Sequence, residues 1–224
     1  DAELTLSKTN DKYLDYGDES SVAENKRRVG TSSMVWWMYQ ADGLFKSYEE
    51  IQSQKLDQDN SGNATLAPGD IKYKDQNGDG KLTDADKIPV KNSSYPDLSM
   101  SFKLNLKYNG FFINAMFQGL SGYKKNIKEL YSLENSSLQR FQQYHLTDTW
   151  TPENPDAEYP RIKFATANDN NRLESTFWVN NCDFVRLKTL SFGYALPASV
   201  LKKLKISSLS LSLQGSNLVT WSTL

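Results

Sequence analysis

The sequence predicts an all-β protein whose antiparallel strands form part of a transmembrane β-barrel with long loops. Three observations carry this prediction. Several segments alternate apolar and polar residues with a period of two, their polar sides are rich in Lys, Ser and Asn, and the connections between them are very unequal in length. Alternation alone marks a water-soluble sandwich equally well. A calcium-stabilised β-sandwich that binds glycans is therefore the alternative reading. The wet polar sides and the lopsided connections favour the barrel, since outer-membrane barrels have short turns at one end and long loops at the other.

The chain opens on "DAELTLSKT", in which Ala2, Leu4 and Leu6 alternate with Glu3, Thr5 and Ser7 as a strand would. Trp36, Trp37 and Tyr39 follow as a compact aromatic group, suited to stacking on a sugar ring but better read as an interfacial girdle or as loop packing. Residues 75–86 then read D-Q-N-G-D-G-K-L-T-D-A-D, the pattern of a loop that wraps a hard cation. Asp75, Asn77 and Asp79 stand at alternate positions, Gly80 allows the sharp bend, Lys81 offers its carbonyl, Thr83 its hydroxyl, and Asp86 closes the site. The final ligand departs from the EF-hand pattern, where a long bidentate Glu is usual, and in that respect the loop is similar to those of dockerin modules. The same run also reads as a string of Asx turns. A structural Ca2+ is the cofactor expected, with the role of stiffening a long exposed loop. No helical periodicity follows Ile88, so a helix-loop-helix switch is not expected, and a dockerin-like adaptor would call for a second such loop where one is read.

From Ser99 to Tyr108, Met100, Phe102, Leu104, Leu106 and Tyr108 share one parity, and Ser99, Ser101, Lys103, Asn105 and Lys107 share the other. Asn109-Gly110 is a strong hairpin signal, because a type I′ turn needs positive φ at both central residues. The return strand sets Phe111, Ile113, Ala115 and Phe117 against Phe112, Asn114, Met116 and Gln118. About sixty residues then separate Gln118 from Trp178, longer than soluble sandwiches usually tolerate. Within them, 126–146 has a helical rhythm through Leu130, Leu133, Leu138 and Phe141. In "FVRLKTLSFGY", residues 184–194, Val185 and Leu187 hold one parity while Leu190, Phe192 and Tyr194 hold the other, which predicts a β-bulge near Lys188-Thr189. Leu209, Leu211 and Leu213 alternate again with Ser208, Ser210, Ser212 and Gln214, and the closing "LVTWSTL" carries no evident further element.

Composition narrows the function. With 26 basic and 27 acidic residues the net charge is near zero, which excludes a nucleic-acid footprint. One cysteine, Cys182, and one histidine, His145, leave no disulfide framework and no Cys/His zinc site. No run of about eighteen apolar residues predicts a membrane-spanning helix. There is no Gly-rich phosphate loop, no nucleophile elbow and no His-based dyad, so no enzyme is expected.

Five segments carry a family resemblance. They are "QADGLFKSYEEIQS" (40–53), "APGDIKYKDQNGDGKLTDADKIPV" (67–90), "YPDLSMSFKLNLKYNGFFINAMFQG" (95–119), "DTWTPENPDAEYPRI" (148–162) and the whole of 184–222. In order and spacing they resemble the SusC/RagA-type TonB-linked outer-membrane proteins. Residues 30–43 depart from that pattern, with Ser-Ser-Met in place of a proline-containing approach. The resemblance implies a place in the bacterial outer membrane and import of oligosaccharides or peptides driven through TonB, with a SusD-like surface lipoprotein as lid. It further implies that 1–224 is part of one C-terminal barrel domain, with its plug and final strand lying outside the chain. Within it, 57–94 and 119–177 would be extracellular loops, 99–118 a hairpin turning in the periplasm, and 184–214 a strand pair. The substrate-binding residues are not legible.

Overall fold

The structure, a computed structural model, describes residues 1–17, 19–92, 95–128, 143–163 and 169–223. In chain order its strands are β1 (Ala2–Lys8), β2 (Val35–Tyr39), β3 (Ala41–Leu44), β4 (Ile71–Tyr73), β5 (Lys87–Lys91), β6 (Leu98–Tyr108), β7 (Phe111–Ser121), β8 (Lys124–Asn126), β9 (Val179–Asn181), β10 (Phe184–Ala195) and β11 (Ser210–Ser222). Its described α-helices are α1 (Tyr48–Ser53), α2 (Gln143–Thr147) and α3 (Ala198–Leu204). The chain divides into two compact units, one of Asp1–Asn10, Ser93–Lys124 and Asn181–Leu224, the other of Asp11–Asn92 and Lys125–Asn180.

The first unit is one antiparallel sheet in the order β1-β6-β7-β10-β11. Asn109 and Gly110 turn the chain from β6 to β7 at φ of 46° and 85°, both positive as a type I′ turn demands. Pairing then runs without a slip from Tyr108 opposite Phe111 to Leu98 opposite Ser121. The parity change in β10 is a bulge: Leu187 faces Phe117, Thr189 faces Met116, and Lys188 is the extra residue between them. β11 runs further than its Leu-Ser alternation indicates. Asn217, at φ 52°, and Leu218 absorb a second irregularity opposite Lys188, after which Val219 faces Leu187 and Trp221 faces Val185. The closing "LVTWSTL" is therefore mostly strand. The sheet does not close: β1 and β11 stand at its two edges, so the chain presents an open wall and not a barrel. Five strands fall well short of the roughly 22 of a large plugged outer-membrane barrel.

The second unit holds the core. Tyr39, Leu56, Ile71, Tyr73, Leu82 and Trp178 form one buried cluster, and Phe45, Ile51 and Leu66 another. Two short ribbons, β2 with β5 and β3 with β4, frame it. Ser47 caps α1 by accepting from the Glu50 N–H, while Ile51 on that helix turns inward. Residues 57–92 and the described parts of 125–180 are thus packed as a folded body with secondary structure of their own. The apolar positions of the helical rhythm at 126–146 lie outside the described residues, and only its C-terminal end is seen, as α2.

A buried polar network ties distant parts of this unit together. Asp70, with no exposed surface, accepts from Arg161 Nε at 2.8 Å and Nη2 at 3.0 Å, and from Asn171 Nδ2 at 2.9 Å. Lys163 lies between Asp70 at 3.5 Å and Asp169 at 2.9 Å. Gln58 donates to the Ile71 carbonyl and accepts from the Tyr73 N–H, and Asn170 donates to that same Ile71 carbonyl. Buried polar groups are tolerated only when partnered, and here nearly all are.

Candidate functional site

Two features could carry function: the apolar side of the five-stranded sheet, and the aspartate loop at 75–86. On the sheet, register decides which side chains stand in a row. One row runs Leu106, Ile113, Phe192, Leu213; the next runs Leu104, Ala115, Leu190, Gly215, with Ala2 opposite Leu104. A third joins Leu4, Phe102, Phe117, Leu187 and Val219. Each row is apolar from edge to edge, because the bulge at Lys188 restores parity where the sequence appears to lose it. The opposite side carries Glu3, Thr5, Ser101, Lys103, Asn105, Asn114, Gln118, Ser191, Ser212 and Gln214.

The apolar side is open. Leu211 and Leu213 keep 69% and 80% of their surface, and Leu4, Leu106, Phe192 and Trp221 are also exposed. A continuous apolar face of this extent is far larger than a soluble monomer normally leaves in water. At one end it finishes in an aromatic row, where Tyr108 and Tyr194 both pair with Phe111, whose ring lies 4.7 Å from that of Tyr194. Beside this end a cleft of about 560 Å³ is lined by residues including Lys107, Asn109, Phe112, Asn114 and Ser210.

In the aspartate loop the six predicted ligands follow one another around a tight wrap. The Asp75 carboxylate accepts from the Gly78 N–H at 2.7 Å and the Gly80 N–H at 2.9 Å. Asp86, fully buried, accepts from the Gln76 N–H at 2.9 Å and the Thr83 N–H at 2.8 Å, while the Thr83 hydroxyl accepts from the Ala85 N–H. Burial works to raise the Asp75 carboxyl, but the N–H groups of Gly80 and Gly78, with a side-chain hydrogen bond shared with Asp86, hold it below its usual range. Positions 1 and 12 of the loop are thus set beside each other, as a cation site requires. Asp79 is turned away from this arrangement, accepting from the Lys81 N–H and from the Asn77 amide, each at 2.8 Å. Among the described residues no three acidic, His or Cys side chains converge as a ready metal cluster. The donor set fits a hard cation in chemistry, and the two ends of the loop fit it in place; Asp79 fits only after turning.

One feature escaped the sequence reading. Residues 57–66, "DQDNSGNATL", make a second Asp-led loop. Asp59 accepts from the N–H groups of Ser61, Asn63 and Thr65, each at 2.8 Å. Burial raises the Asp59 carboxyl, yet these donors and the Thr65 hydroxyl outweigh it and hold it at about 2. A parallel bridge sets Asp57 beside Lys81, so the two loops lie edge to edge. The signal was available in the D-x-D-x-x-G spacing. For the aromatic group, packing within the loop region is what Tyr39 shows. Tyr39 is buried in the core beside Tyr73, where burial and the nearby Asp84 push its phenol up to about 12. Trp37 has Lys26 and Arg28 over its ring, and Trp36 pairs across to Val90 of β5. Tyr39 offers no platform, and Trp37 has cations on its ring.

No family model matches the chain. Curated relatives do. TonB-dependent receptor P26 of Formosa agariphila is 29% identical over 232 residues, covering 98% of this chain and 22% of the relative. TonB-dependent receptor P3 of the same organism is 32% identical over 186 residues, covering 81% of this chain and 18% of the relative. In fold, the chain is similar to the RagAB peptide transporter, with a TM-score of 0.60 at 20% identity over 88% of this chain and 20% of that one. The RagAB peptide importer in its open-open state gives 0.59 at 16% identity over 100% of this chain and 23% of that one. The chain spans about a fifth of the length of each. These names describe receptors and transporters, not enzymes. Similarity in sequence across nearly the whole chain, joined to a shared fold, bears out the resemblance to the SusC/RagA-type TonB-linked outer-membrane proteins.

Proposed function

We propose that this chain forms part of the barrel wall, with its associated loop body, of a bacterial outer-membrane importer driven through TonB. Its cargo is an oligosaccharide or a peptide, and its partners are a SusD-like surface lipoprotein acting as lid and the TonB complex. The observation that carries this reading is the edge-to-edge apolar side of the sheet. Strands of 11 to 13 residues at about 3.3 Å per residue, tilted by roughly 45°, rise about 25–30 Å, which matches the apolar band of outer-membrane barrels. The polar side, bearing Lys103, Asn105, Asn114 and Gln118, then lines a wet lumen. The names of the relatives and the fold of the RagAB transporter support the same assignment.

Function on this reading is binding and gated passage, and no residue here performs covalent chemistry. The 75–86 loop takes a Ca2+ through Asp75 and Asp86 first, with Asn77, Asp79, Thr83 and the Lys81 carbonyl completing the set. The ion would neutralise the paired carboxyls and stiffen the loop, lowering the entropy lost when cargo or lid docks.

The soluble glycan-binding sandwich would need a second sheet packed about 10 Å above the apolar side. Leu211 and Leu213 stand open instead, which favours the importer. Spin labels at Phe102, Leu104 and Leu211 of the protein in bilayers test the proposal. Collision with oxygen dissolved in the acyl layer is expected at these sites, and collision with an aqueous nickel chelate at Ser101, Lys103 and Ser212. Labels on the apolar parity that report protein neighbours in place of acyl chains would overturn it.

A further inference from the structure

We propose that the connection Leu196–Leu209, centred on α3, is an interfacial anchor that binds anionic phospholipid headgroups at the end of the barrel wall. The inference rests on the membrane reading of the sheet and adds a lipid-selective contact to it. Three observations carry it.

Charge comes first. Residues 98–118 and 184–222 contain no Asp or Glu at all, yet the end of the sheet that carries the Asn109-Gly110 turn gathers Lys107, Lys202, Lys203 and Lys205. Lys103, further along β6, has Glu3 at 3.3 Å; these four lysines have no acidic partner among the described residues. The other end of the same sheet is mixed in sign, with Asp97 and Asp183 beside the strand termini, Asp183 accepting from Ser121 and Tyr123, and Lys8 and Lys124 close by.

Shape comes second. Pro197 starts α3 with its fixed φ, and Lys205, at φ 56°, ends it so that the Lys205 and Ile206 N–H groups return to Lys202 and Leu201 carbonyls. Val200 and Leu204 share one side of the helix at i and i+4, with Lys202 and Lys203 off that side. None of the helix is buried, and Val200, Leu204 and Ile206 are all exposed. A short helix with apolar residues on one side and lysines off it is built to lie at a membrane surface.

Position comes third. The Leu196 N–H donates to the Leu209 carbonyl, so the connection springs directly from the last rung of β10 and β11. That rung adjoins the row of Tyr108, Phe111, Tyr194 and Leu211, aromatic groups of the kind that settle at the headgroup boundary. The apolar side of the sheet continues into Leu209, and the lysines follow it at the depth where phosphates begin. A neutral aqueous surface would leave Val200, Leu204 and Ile206 uncovered; an anionic lipid layer covers them and supplies the missing counter-charges.

The protein reconstituted in nanodiscs, in a Cys182→Ser background, tests this with two readouts. A bimane at Leu213→Cys, quenched by lipids brominated on the acyl chains, reports whether the sheet faces lipid. Retention of phosphatidylglycerol over phosphatidylcholine is compared between the parent protein and a Lys202→Gln/Lys203→Gln/Lys205→Gln variant. The three lysines are exposed, so the variant is expected to keep its fold, as an unchanged heat-dependent gel shift would verify. With the sheet label quenched, the parent should enrich phosphatidylglycerol on the order of fivefold per lysine engaged over the variant at low salt, and lose most of that preference in about 0.5 M salt. A quenched sheet label with equal retention in both proteins refutes the anchor and leaves the importer reading intact. An unquenched sheet label refutes both.

Discussion

Replacing Asp70 by Asn removes one charge from the centre of the second unit while keeping the side chain's size. Asp70 is wholly buried and holds five donors: Arg161 Nε at 2.8 Å and Nη2 at 3.0 Å, Asn171 Nδ2 at 2.9 Å, the Ala67 N–H at 3.0 Å and Lys163 at 3.5 Å. An asparagine keeps one acceptor oxygen and turns an NH2 toward these same donors. Lys163 retains Asp169 at 2.9 Å, so the orphaned cation is Arg161. Breaking a buried pair costs about 3–5 kcal/mol. Because the Arg161 side chain is 27% exposed and partly hydrated, the lower end, about 3 kcal/mol, is expected. That is roughly a hundredfold in the opening equilibrium. Hydrogen exchange of the full protein reads it at the amides this network protects: Ile71, which donates to Asn171 Oδ1, and Phe45, which donates to the Asp70 carbonyl. Asp156→Asn is the control. Its pair with Lys46 has both side chains mostly in water, and its loss should leave exchange unchanged within error. If Asp70→Asn exchanged like the wild type, or if Asp156→Asn had the larger effect, the network would not be what holds this unit together.

Other outcomes follow from the same geometry. Leu104→Arg should impair assembly in the outer membrane by about 2–4 kcal/mol, while Asn105→Arg one residue along is tolerated; equal folding yields from the two variants would contradict the two-sided wall. Gly193→Ala should lower the temperature of the heat-dependent gel shift, since its Cβ would press on the Phe112 ring and come within 2.6 Å of the Leu211 carbonyl. Gly119→Ala should cost less, because what it mainly meets is the flexible end of Met100. The Asp59 carboxyl lies below its ordinary 3.8, at about 2, so its contribution is complete above 3.8 and is lost as pH falls through about 2; exchange in the 57–66 peptide should rise across that window and not above pH 5. Calcium should slow proteolysis between Lys72 and Val90, and Asp86→Asn should abolish that protection; identical cleavage with calcium and with chelator would remove the ion from the account.

The legible part of this molecule is the part whose physics is local. A pleated strand turns successive side chains to opposite sides, so "SFKLNLKY" reveals both faces without knowing what they meet, and Asn109-Gly110 states its own turn. Even the bulge in β10 is written as a broken parity at Lys188-Thr189. The end of β11 was less legible because Asn217 and Leu218 interrupt the alternation, and only a neighbouring strand shows that Val219 and Trp221 resume it. The aspartate loop was readable as a pattern of donors; that Asp75 and Asp86 meet while Asp79 turns aside depends on how Thr83, Gln76 and Lys81 place their N–H groups.

What tertiary structure alone decided is the second unit and the fate of its aromatics. Asp70 finds Arg161 and Asn171 some ninety to a hundred residues away, and Tyr73 shares a core with Trp178. Contacts between such distant polar and aromatic residues leave no period in the chain, so the core that the described parts of these long connections build was not legible in it. The sequence by itself determined a sheet with one greasy and one wet side. Only the three-dimensional fold decided that Leu4, Leu211 and Leu213 on the greasy side stand exposed, because exposure depends on which elements return to cover a surface.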